Sequence, residues 1–453
     1  MGAGYISSAR KTPLSARIKN LVAMNCGCGR VGREKIEMKK IPELMSPAGD
    51  FICLSAALNA GADAVYFGLR GSNMRAGAKN FELSDLPKVA KACRAAGAKA
   101  YLTLNTIYFD SELKRLEKIL KAVKKAGIDA VIAWDFSVLE LARELGVEVF
   151  LSTQASVSNA ASIASIHKNY GVNRFVLARE CSLDSIKSIR VGLKKRLGAA
   201  EAAQIKIEAF AHGAMCVSIS GRCFMSQFYC GKSANRGECL QPCRREYQIT
   251  DTAVGAPQFS LGTNYVLSPK DLMTLPFLEK LIAAGVDSLK IEGRNRNASY
   301  VSATVSAYRR ALDFYAENFG KKNFSEEFGA LKRELCASLE NTFNRGFSDG
   351  FFMGKPLGDW TSSGNKAVAK KRILGHVLNY FSRIGVAEIS VDDAPLHVGD
   401  TVQLEGETTG FLSFTAESMQ IDGRPVEAAH KGEKVALKVP SKVRKNDRLY
   451  ILK

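Results

Sequence analysis

The sequence predicts a (β/α)8 barrel with a cysteine-rich insertion, followed by a small all-β barrel-like domain. Between residues 41 and about 320, short β-branched runs alternate with helical patterns, which favours a parallel sheet covered by helices. Eight such runs fall within about 280 residues, a length typical of a (β/α)8 barrel. From residue 372 onward the runs are short, alternate in polarity and are broken by turns, as in an all-β module.

The eight predicted strands are apolar on both faces, as expected for strands that helices cover. They are Glu43–Ser46, Ala64–Leu69, Ala98–Asn105, Asp129–Asp135, Glu148–Gln154, Arg174–Glu180, Lys206–Gly213 and Ser288–Arg294. The helical patterns between them include Leu86–Ala95, Leu113–Ala126, Ser156–Lys168 and Leu183–Leu197. An open doubly wound sheet is the alternative, but no glycine-rich phosphate loop follows the first strand.

Polar side chains stand at the carboxyl ends of these strands, the face on which barrel enzymes build their active sites. They are Asn105, Asp135, Gln154, Arg179, Glu180, His212, Glu292 and Arg294. One long connection follows the seventh strand, and a long loop inside a compact fold usually carries function. This connection contains a group of cysteines, which we therefore expect over the barrel mouth.

Three segments are expected along the chain. Residues 1–40 form a basic leader, with Met38 as the expected native start and a transit segment as the alternative. Residues 41–345 form the barrel, with the cysteine-rich insertion at 214–265 and trailing helices. Residues 350–453 form the C-terminal β domain, which serves either RNA contact or packing and dimerisation.

The chain is strongly basic, with a net charge of +19. This excess of positive charge favours a polyanionic partner, above all nucleic acid. The alternative is that the charge is spread evenly over the surface and has no such partner. Basic residues cluster towards the two ends, and one cluster comprises Lys442, Arg444, Lys445 and Arg448. No run of eighteen apolar residues and no secretory signal are present, so we expect a cytoplasmic protein without membrane spans.

Five of the eleven cysteines fall within one short stretch. The four expected to act together are Cys216, Cys223, Cys239 and Cys243, spaced C-x6-C-x15-C-x3-C. Structural zinc sites usually show tighter pairs, and radical-SAM chemistry needs a further cysteine where Glu246 stands. A four-thiolate [4Fe–4S] cluster therefore fits the set best.

Other interpretations of these cysteines stay open. Some of them, above all Cys230, are buried small hydrophobes in the simplest alternative. Cys216 is also a candidate nucleophile, because His212 lies four residues before it and could lower its pKa. That interpretation leaves the other thiols unexplained. None of the five histidines forms an H-E-x-x-H pair, which argues against a zinc metalloprotease.

A series of short motifs runs through the barrel and the insertion. They are E-L-M-S-P-A-G-D at 43–50, E-A-F at 208–210, G-A-M-C at 213–216, G-R-C at 221–223, S-A-N-R-G at 233–237, Q-P-C-R at 241–244, K-I-E-G-R at 290–294 and F-N-R-G-F at 343–347. With these motifs the chain resembles the U32 peptidase family, the collagenase-like proteases. The resemblance extends from about residue 41 to the C-terminus.

The resemblance implies an oxygen-independent hydroxylation factor with a [4Fe–4S] cluster. In length and domain order the chain is most similar to the branch that 5-hydroxylates the wobble uridine of tRNA, with prephenate as the required metabolite. The implied partners are tRNA and a small carboxylate metabolite, and the oligomeric state is left open. Two other functions are kept as alternatives: a peptidase, as the family name states, and a non-catalytic RNA-binding iron–sulfur protein.

The resemblance also implies the site residues. Carried over onto the matching motifs, the cluster ligands are Cys216, Cys223 and Cys239, with Cys243 as the fourth. A carboxylate cosubstrate requires arginines at the barrel mouth. The candidates are Arg70, Arg75, Arg179 and Arg294, each of which could instead form a rim ion pair. The candidate catalytic residues are Glu208, His212 and Glu292.

Overall fold

The computed structural model describes residues 41–248, 265–356, 358–368 and 371–452. The expected leader, with Cys26 and Cys28, lies outside these residues. Eight parallel strands form a closed barrel, so the predicted (β/α)8 fold is confirmed. The strands are β1 (Glu43–Pro47), β2 (Ala64–Gly68), β3 (Lys99–Leu104), β4 (Ala130–Ala133), β5 (Val149–Leu151), β6 (Arg174–Val176), β7 (Lys206–Gly213) and, after the short strand β8 (Asp271–Met273), β9 (Ser288–Ile291).

The barrel closes because β9 pairs in parallel with both β1 and β7. Met45 of β1 stands opposite Lys290, and Glu208 of β7 stands opposite Ser288. This closure excludes the open doubly wound sheet. Strand β8 pairs antiparallel with the end of β7, and β10 (Phe347–Ser348) pairs with β8. These two short strands were not predicted.

Most of the helices cover the outside of the barrel, while α7 lies in the cysteine-rich insertion. They are α1 (Phe51–Asn59), α2 (Leu86–Ala95), α3 (Leu113–Ala126), α4 (Phe136–Leu145), α5 (Ala160–Tyr170), α6 (Leu183–Gln204), α7 (Met225–Cys230), α8 (Leu278–Ala284), α9 (Ala298–Asn318) and α10 (Phe324–Glu340). Helix α3 shows the common pattern, because it buries Leu116, Leu120 and Val123 on one face. None of the helices in the described ranges combines the length and the apolar character that crossing a membrane requires.

Two helices differ from prediction in their bounds, and the helix predicted as Ser156–Lys168 also ends two residues later, at Tyr170. The helix predicted from Ser156 begins at Ala160, because the Asn159 side chain caps its first turn. The helix predicted to end at Leu197 resumes afterwards, but its helical backbone is interrupted at Gly198, where φ is 79°. Both differences concern surface ends and leave the barrel unchanged.

The core is built in two layers. Inside the barrel lies a compact group of side chains: Met45, Ala64, Tyr66, Tyr101, Ala130, Ile132 and Phe150. A larger apolar layer fills the space between the strands and the helices. Next to this apolar group, the barrel also encloses a charged network in which Arg174 and Lys290 bind the Glu208 carboxylate.

The predicted all-β C-terminal domain is confirmed. Its strands are β11 (Lys371–Phe381), β12 (Val386–Val391), β13 (Leu396–His397), β14 (Thr401–Gly406), β15 (Gly410–Thr415), β16 (Met419–Ile421), β17 (Arg424–Val426), β18 (Ala428–Ala429), β19 (Lys434–Lys438) and β20 (Arg448–Leu452). Eight of them form an antiparallel sheet in the order β15-β14-β20-β11-β12-β19-β16-β17, and β13 pairs with β18. Phe411 of β15 packs into the apolar layer of the barrel, and Ser299 donates a hydrogen bond to Gln403. These contacts attach the domain to the barrel.

Candidate active site

A cavity of about 140 Å³ opens at the carboxyl ends of the barrel strands. Five of the polar residues predicted at strand ends contribute to its wall: Asn105, Gln154, Arg179, Glu292 and Arg294. The cysteine-rich insertion supplies another part of the wall, with Cys216, Cys223, Cys239 and Cys243 in the lining. The structure therefore brings all four predicted cluster ligands to one cavity. Cys230 and Cys336 do not line it.

The four thiols lie close enough to influence one another electrostatically. Burial raises the pKa of the Cys243 thiol to about 11, and negative charge on the other three sulfurs acts in the same direction, although Arg244 opposes it. Cys216 and Cys239 are exposed, while Cys223 and Cys243 are half-buried. A bound metal must displace the thiol protons, so binding is coupled to proton release.

The donor chemistry of this wall suits an iron–sulfur cluster. Four thiols that face one cavity are the ligand set that soft metals and such clusters take. Within the described ranges, no three His, Cys, Asp or Glu side chains are arranged around a point where they could hold a metal ion. The fit therefore rests on the identity of the donors and their shared cavity, and not on a preformed geometry.

Several contacts hold the insertion against the barrel loops. The Arg236 guanidinium binds the Glu112 carboxylate at two points, with N–O distances of 2.8 and 2.6 Å. The backbone N–H of Ala76 donates to the Gly237 carbonyl at 3.0 Å. Within the insertion, the backbone N–H of Cys223 donates to the Asn235 side chain at 3.0 Å. These bonds fix the cysteine-bearing backbone next to the barrel mouth.

Three of the four predicted arginines line the cavity: Arg75, Arg179 and Arg294. Arg70 is not among the lining residues. Its exposed guanidinium forms an ion pair with Glu82 at 3.2 Å, whereas the sequence offered Glu180 and Glu292 as the partners of a rim ion pair. Among the described charged side chains of the wall other than cysteine, five are cationic and one, Glu292, is anionic. The cavity therefore favours an anionic ligand.

Two of these arginines each have one buried N–H group that donates no hydrogen bond to any described residue. The Nε atoms of Arg179 and Arg294 lack a hydrogen-bond partner within the described residues. Arg179 stacks on the Phe210 ring at 3.9 Å, and burial lowers the pKa of its guanidinium. Arg294 donates from Nη1 to Asn73 and Thr103, both at 2.8 Å. A buried unpaired donor is costly, so these two N–H groups are hydrogen-bonding capacity that the described residues leave unused.

Glu292 faces the cavity and orients Arg75. The Arg75 guanidinium lies 3.2 Å from its carboxylate. Burial alone raises the pKa of Glu292, but the charges of Arg75, Arg294 and Arg179 outweigh it and lower the pKa to about 2. The carboxylate is therefore ionised at neutral pH and acts as an acceptor.

Glu208 lies outside the cavity lining, inside the barrel. Its carboxylate is completely buried and accepts hydrogen bonds from Arg174 Nε at 2.7 Å and Lys290 Nζ at 2.9 Å. Both cations lower the pKa of Glu208 against the opposing effect of burial, which is the largest single effect. Glu208 therefore holds Lys290 in place at the base of the cavity.

His212 also lies outside the cavity lining. The pairing of β7 with β9 is irregular between Phe210 and His212, and such a bulge reverses the face on which the following side chain lies. The His212 ring packs against Tyr300, Tyr308 and Phe347. Burial lowers its pKa to about 3, so the ring is neutral. Its position does not bring it to Cys216 as the base of a cysteine nucleophile.

Sequence reasoning missed Lys290, which also lines the cavity. Strand alternation could have found it, because Lys290, Glu292 and Arg294 are spaced by two residues in the predicted eighth strand. Asp135 and Glu180, predicted at strand ends, do not line the cavity. The Asp135 side chain instead accepts from Ser137 as the cap of α4.

The comparisons with known proteins match this chain to one family. The model of peptidase family U32 matches residues 49–362, which is more than half of the chain. The chain belongs to peptidase family U32.

Relatives of this U32 chain have names of two kinds. A protein named collagenase from Porphyromonas gingivalis strain W83 is 40% identical over 411 residues, 90% of this chain and 97% of its own length. The tRNA hydroxylation protein P1 of Bacillus subtilis is 33% identical over 434 residues, 93% of this chain and 98% of its own length. A 23S rRNA 5-hydroxycytidine synthase of Escherichia coli is 35% identical over 380 residues, 83% of this chain and 54% of its own length.

Replacing Gly237 by alanine is expected to loosen the insertion of this U32 chain. Gly237 has a φ of +92°, and an added Cβ would stand 2.2 Å from the backbone oxygen of Asn73. The strain and the clash together should cost about 1–3 kcal/mol. Hydrogen exchange of residues 214–248, measured alongside thermal unfolding, should show faster exchange in this segment.

Gly231 provides the matched control. Its φ is +67°, but an added Cβ would meet nothing within 4 Å. Gly231→Ala therefore tests backbone strain without the clash. Equal exchange rates in Gly237→Ala and Gly231→Ala would show that the contact with Asn73 does not hold the insertion.

Proposed function

We propose that this chain is an RNA-modifying hydroxylation factor that 5-hydroxylates the wobble uridine of tRNA without molecular oxygen. It uses a [4Fe–4S] cluster and a small carboxylate cosubstrate, for which prephenate is the expected compound. The observation that carries the proposal is a single cavity that joins four thiols to an excess of cationic groups. The thiols suit the cluster, and the cations suit the carboxylate.

The residues of the chain have separate tasks in this proposal. Cys216, Cys223, Cys239 and Cys243 hold the cluster, which supplies one-electron redox chemistry when bound. Arg179 and Arg294, whose side chains line the cavity, bind the carboxylates of the cosubstrate, since charge-assisted bonds of this type are short and strong. Glu292 is a positioning residue for Arg75, because its low pKa prevents it from donating a proton at neutral pH.

The RNA-binding part of the proposal is supported by exposed basic side chains of the C-terminal domain. Lys442, Arg444, Lys445 and Arg448 are all exposed. Cations in such a group bind phosphates without reading the sequence. A uridine reaches an enclosed cavity only when it leaves the base stack, and a base in an unpaired loop does so at low cost. The tRNA and rRNA hydroxylation names of two relatives support the same class of substrate.

The decisive experiment is mass spectrometry of tRNA nucleosides from a deletion strain grown without oxygen. Anaerobic growth silences any oxygen-dependent enzyme that makes the same product. We expect 5-hydroxyuridine derivatives to disappear and to return with the wild-type gene. Unchanged levels in the deletion strain would overturn the proposal. Anaerobic purification adds a second test, because an iron-free and colourless protein would exclude the cluster.

A peptidase is the second candidate, favoured by the collagenase name of a relative that is 40% identical. Cys216 would be its nucleophile, yet His212 packs among aromatic rings away from the cavity. Cleavage of gelatin by the purified protein, lost in Cys216→Ser and retained in Cys239→Ser, would support proteolysis. Loss of activity in both variants would instead indicate a shared role of the thiols.

A further inference from the structure

The outer face of the cysteine-rich insertion exposes a group of aromatic rings. Phe228 is 87% exposed, and Phe224 and Tyr229 are each 61% exposed. Exposed apolar side chains that stand singly need no explanation, but adjacent ones mark surfaces that bind a partner. We call Phe224, Phe228 and Tyr229 the aromatic platform.

Helix α7 connects this platform to the cavity. Met225 and Ser226, in its first turn, line the cavity with the cysteines. Phe224 and Phe228 are four residues apart, so they lie on one face of the helix, and their ring centroids are 6.0 Å apart. The short helix therefore presents one face to the cavity and another, aromatic face to the solvent. A ligand bound on the platform lies beside the cavity.

One arginine side chain lies on the platform, and a second is exposed two residues before Phe224. The Arg245 guanidinium lies over the Tyr229 ring, 5.4 Å from its centroid, and Arg245 is exposed. Arg222, next to Cys223, is exposed and lies 5.6 Å from the centroid of Trp134. Flat rings interleaved with guanidinium groups are the surface that unpaired nucleic-acid bases and their phosphates bind.

We propose that the aromatic platform stacks the unpaired RNA bases that flank the base entering the cavity. The identity of the RNA as tRNA rests on the function proposed above, whereas the stacking itself does not. Bases in a duplex are stacked on each other and offer no free face, so the platform selects an unpaired loop. This selection places a loop nucleotide, and not a paired one, at the barrel mouth.

The test uses fluorescence anisotropy of the anaerobically purified full chain. One labelled RNA is a hairpin with an unpaired loop, and the other is a blunt duplex with the same stem. Phe228→Leu keeps an apolar side chain but removes the ring, and Phe228→Trp keeps a ring. We expect the Kd for the hairpin to rise at least about fivefold in Phe228→Leu, the change that corresponds to losing stacking on one base. Phe228→Trp should bind as the wild type does.

Two controls separate stacking from other effects. Val191→Ala removes a side chain that is 55% exposed on α6, outside the platform, and should leave the Kd unchanged. The slope of log Kd against log salt should be the same in Phe228→Leu and wild type, because no phosphate contact is lost. Iron content and thermal midpoint check that the insertion of Phe228→Leu remains intact.

Two outcomes would overturn the inference. The first is hairpin affinity in Phe228→Leu within about twofold of the wild type, a change of less than about 0.5 kcal/mol. The second is that Phe228→Leu loses affinity for the hairpin and for the duplex by the same factor. If the nucleosides of the deletion strain change but Phe228→Leu binds normally, the platform is wrong and the proposed function stands. If the nucleosides do not change but Phe228→Leu loses hairpin binding, the proposed function is wrong and the platform stands.

Discussion

Replacing Glu208 by glutamine is expected to lower the free energy of unfolding by about 3–5 kcal/mol, because it leaves buried cations without their counter-charge. The side chains of Arg174 and Lys290 are 7% and 6% exposed, and both bind the Glu208 carboxylate. In the variant, Glu43 would still neutralise the charge of Arg174, but it does not pair with Lys290. Chemical denaturation of wild type and variant at neutral pH measures the change.

The control is Glu334→Gln, whose carboxylate pairs with Arg310 on the surface, 3.0 Å away. Exposed ion pairs contribute little to the free energy of unfolding, so this variant should be as stable as the wild type. The double variant Glu208→Gln, Lys290→Met restores the charge balance and should recover part of the loss. A Glu208→Gln variant as stable as Glu334→Gln would show that the buried charges are not coupled.

Glu208 also makes a pH dependence measurable. Its folded pKa lies below the ordinary value of 4.5. The contribution of ionised Glu208 to the free energy of unfolding is therefore fully present above pH 4.5. It is lost as the pH falls through the folded pKa. The slope of unfolding free energy against pH below this value should be shallower in Glu208→Gln than in the wild type.

Serine in place of any one of the four cavity cysteines is expected to lower the iron content and the yield of 5-hydroxyuridine more than about tenfold. Mutation of a residue that only supports a metal ligand already lowers metal affinity or activity about 10–100-fold, and loss of a ligand itself lowers them at least as much. The four variants are Cys216→Ser, Cys223→Ser, Cys239→Ser and Cys243→Ser. Iron analysis of anaerobically purified protein and nucleoside analysis of complemented deletion strains provide the two measurements.

Cys230→Ser is the matched control, because Cys230 lies in the same insertion but does not line the cavity. It should retain iron and activity. Equal iron content in all five variants would exclude the cavity thiols as ligands. Loss of iron in Cys230→Ser together with only three of the others would instead assign Cys230 as a ligand.

The barrel could be predicted because its strands are buried on both faces and its helices are amphipathic. Both properties repeat along the chain and are visible without tertiary information. Strands β8 and β10 could not be predicted in this way, because they are only three and two residues long. Runs of this length carry no periodicity, and the pairings of β8 with β7 and of β10 with β8 are tertiary contacts.

The candidate site could be predicted in part, because several of its residues lie in recognisable motifs. The motifs that contain Cys216, Glu292 and Arg294 indicate their proximity to the barrel mouth. His212 was also expected there from its position at a strand end. The irregular pairing after Phe210 turns it outward, and a bulge of this type leaves no mark in the pattern of apolar residues.

The sequence by itself determined the barrel, the all-β domain and the family, and it singled out the four cysteines that line the cavity. Each of these depends on local periodicity, spacing or motif. Only the tertiary structure decided which charged groups face the cavity and which neutralise each other elsewhere. Arg75 and Glu292 are 217 residues apart in the chain, yet they share one ion pair. Such pairs depend on barrel closure, which places distant strands side by side, and local sequence does not encode which partner a charge will meet.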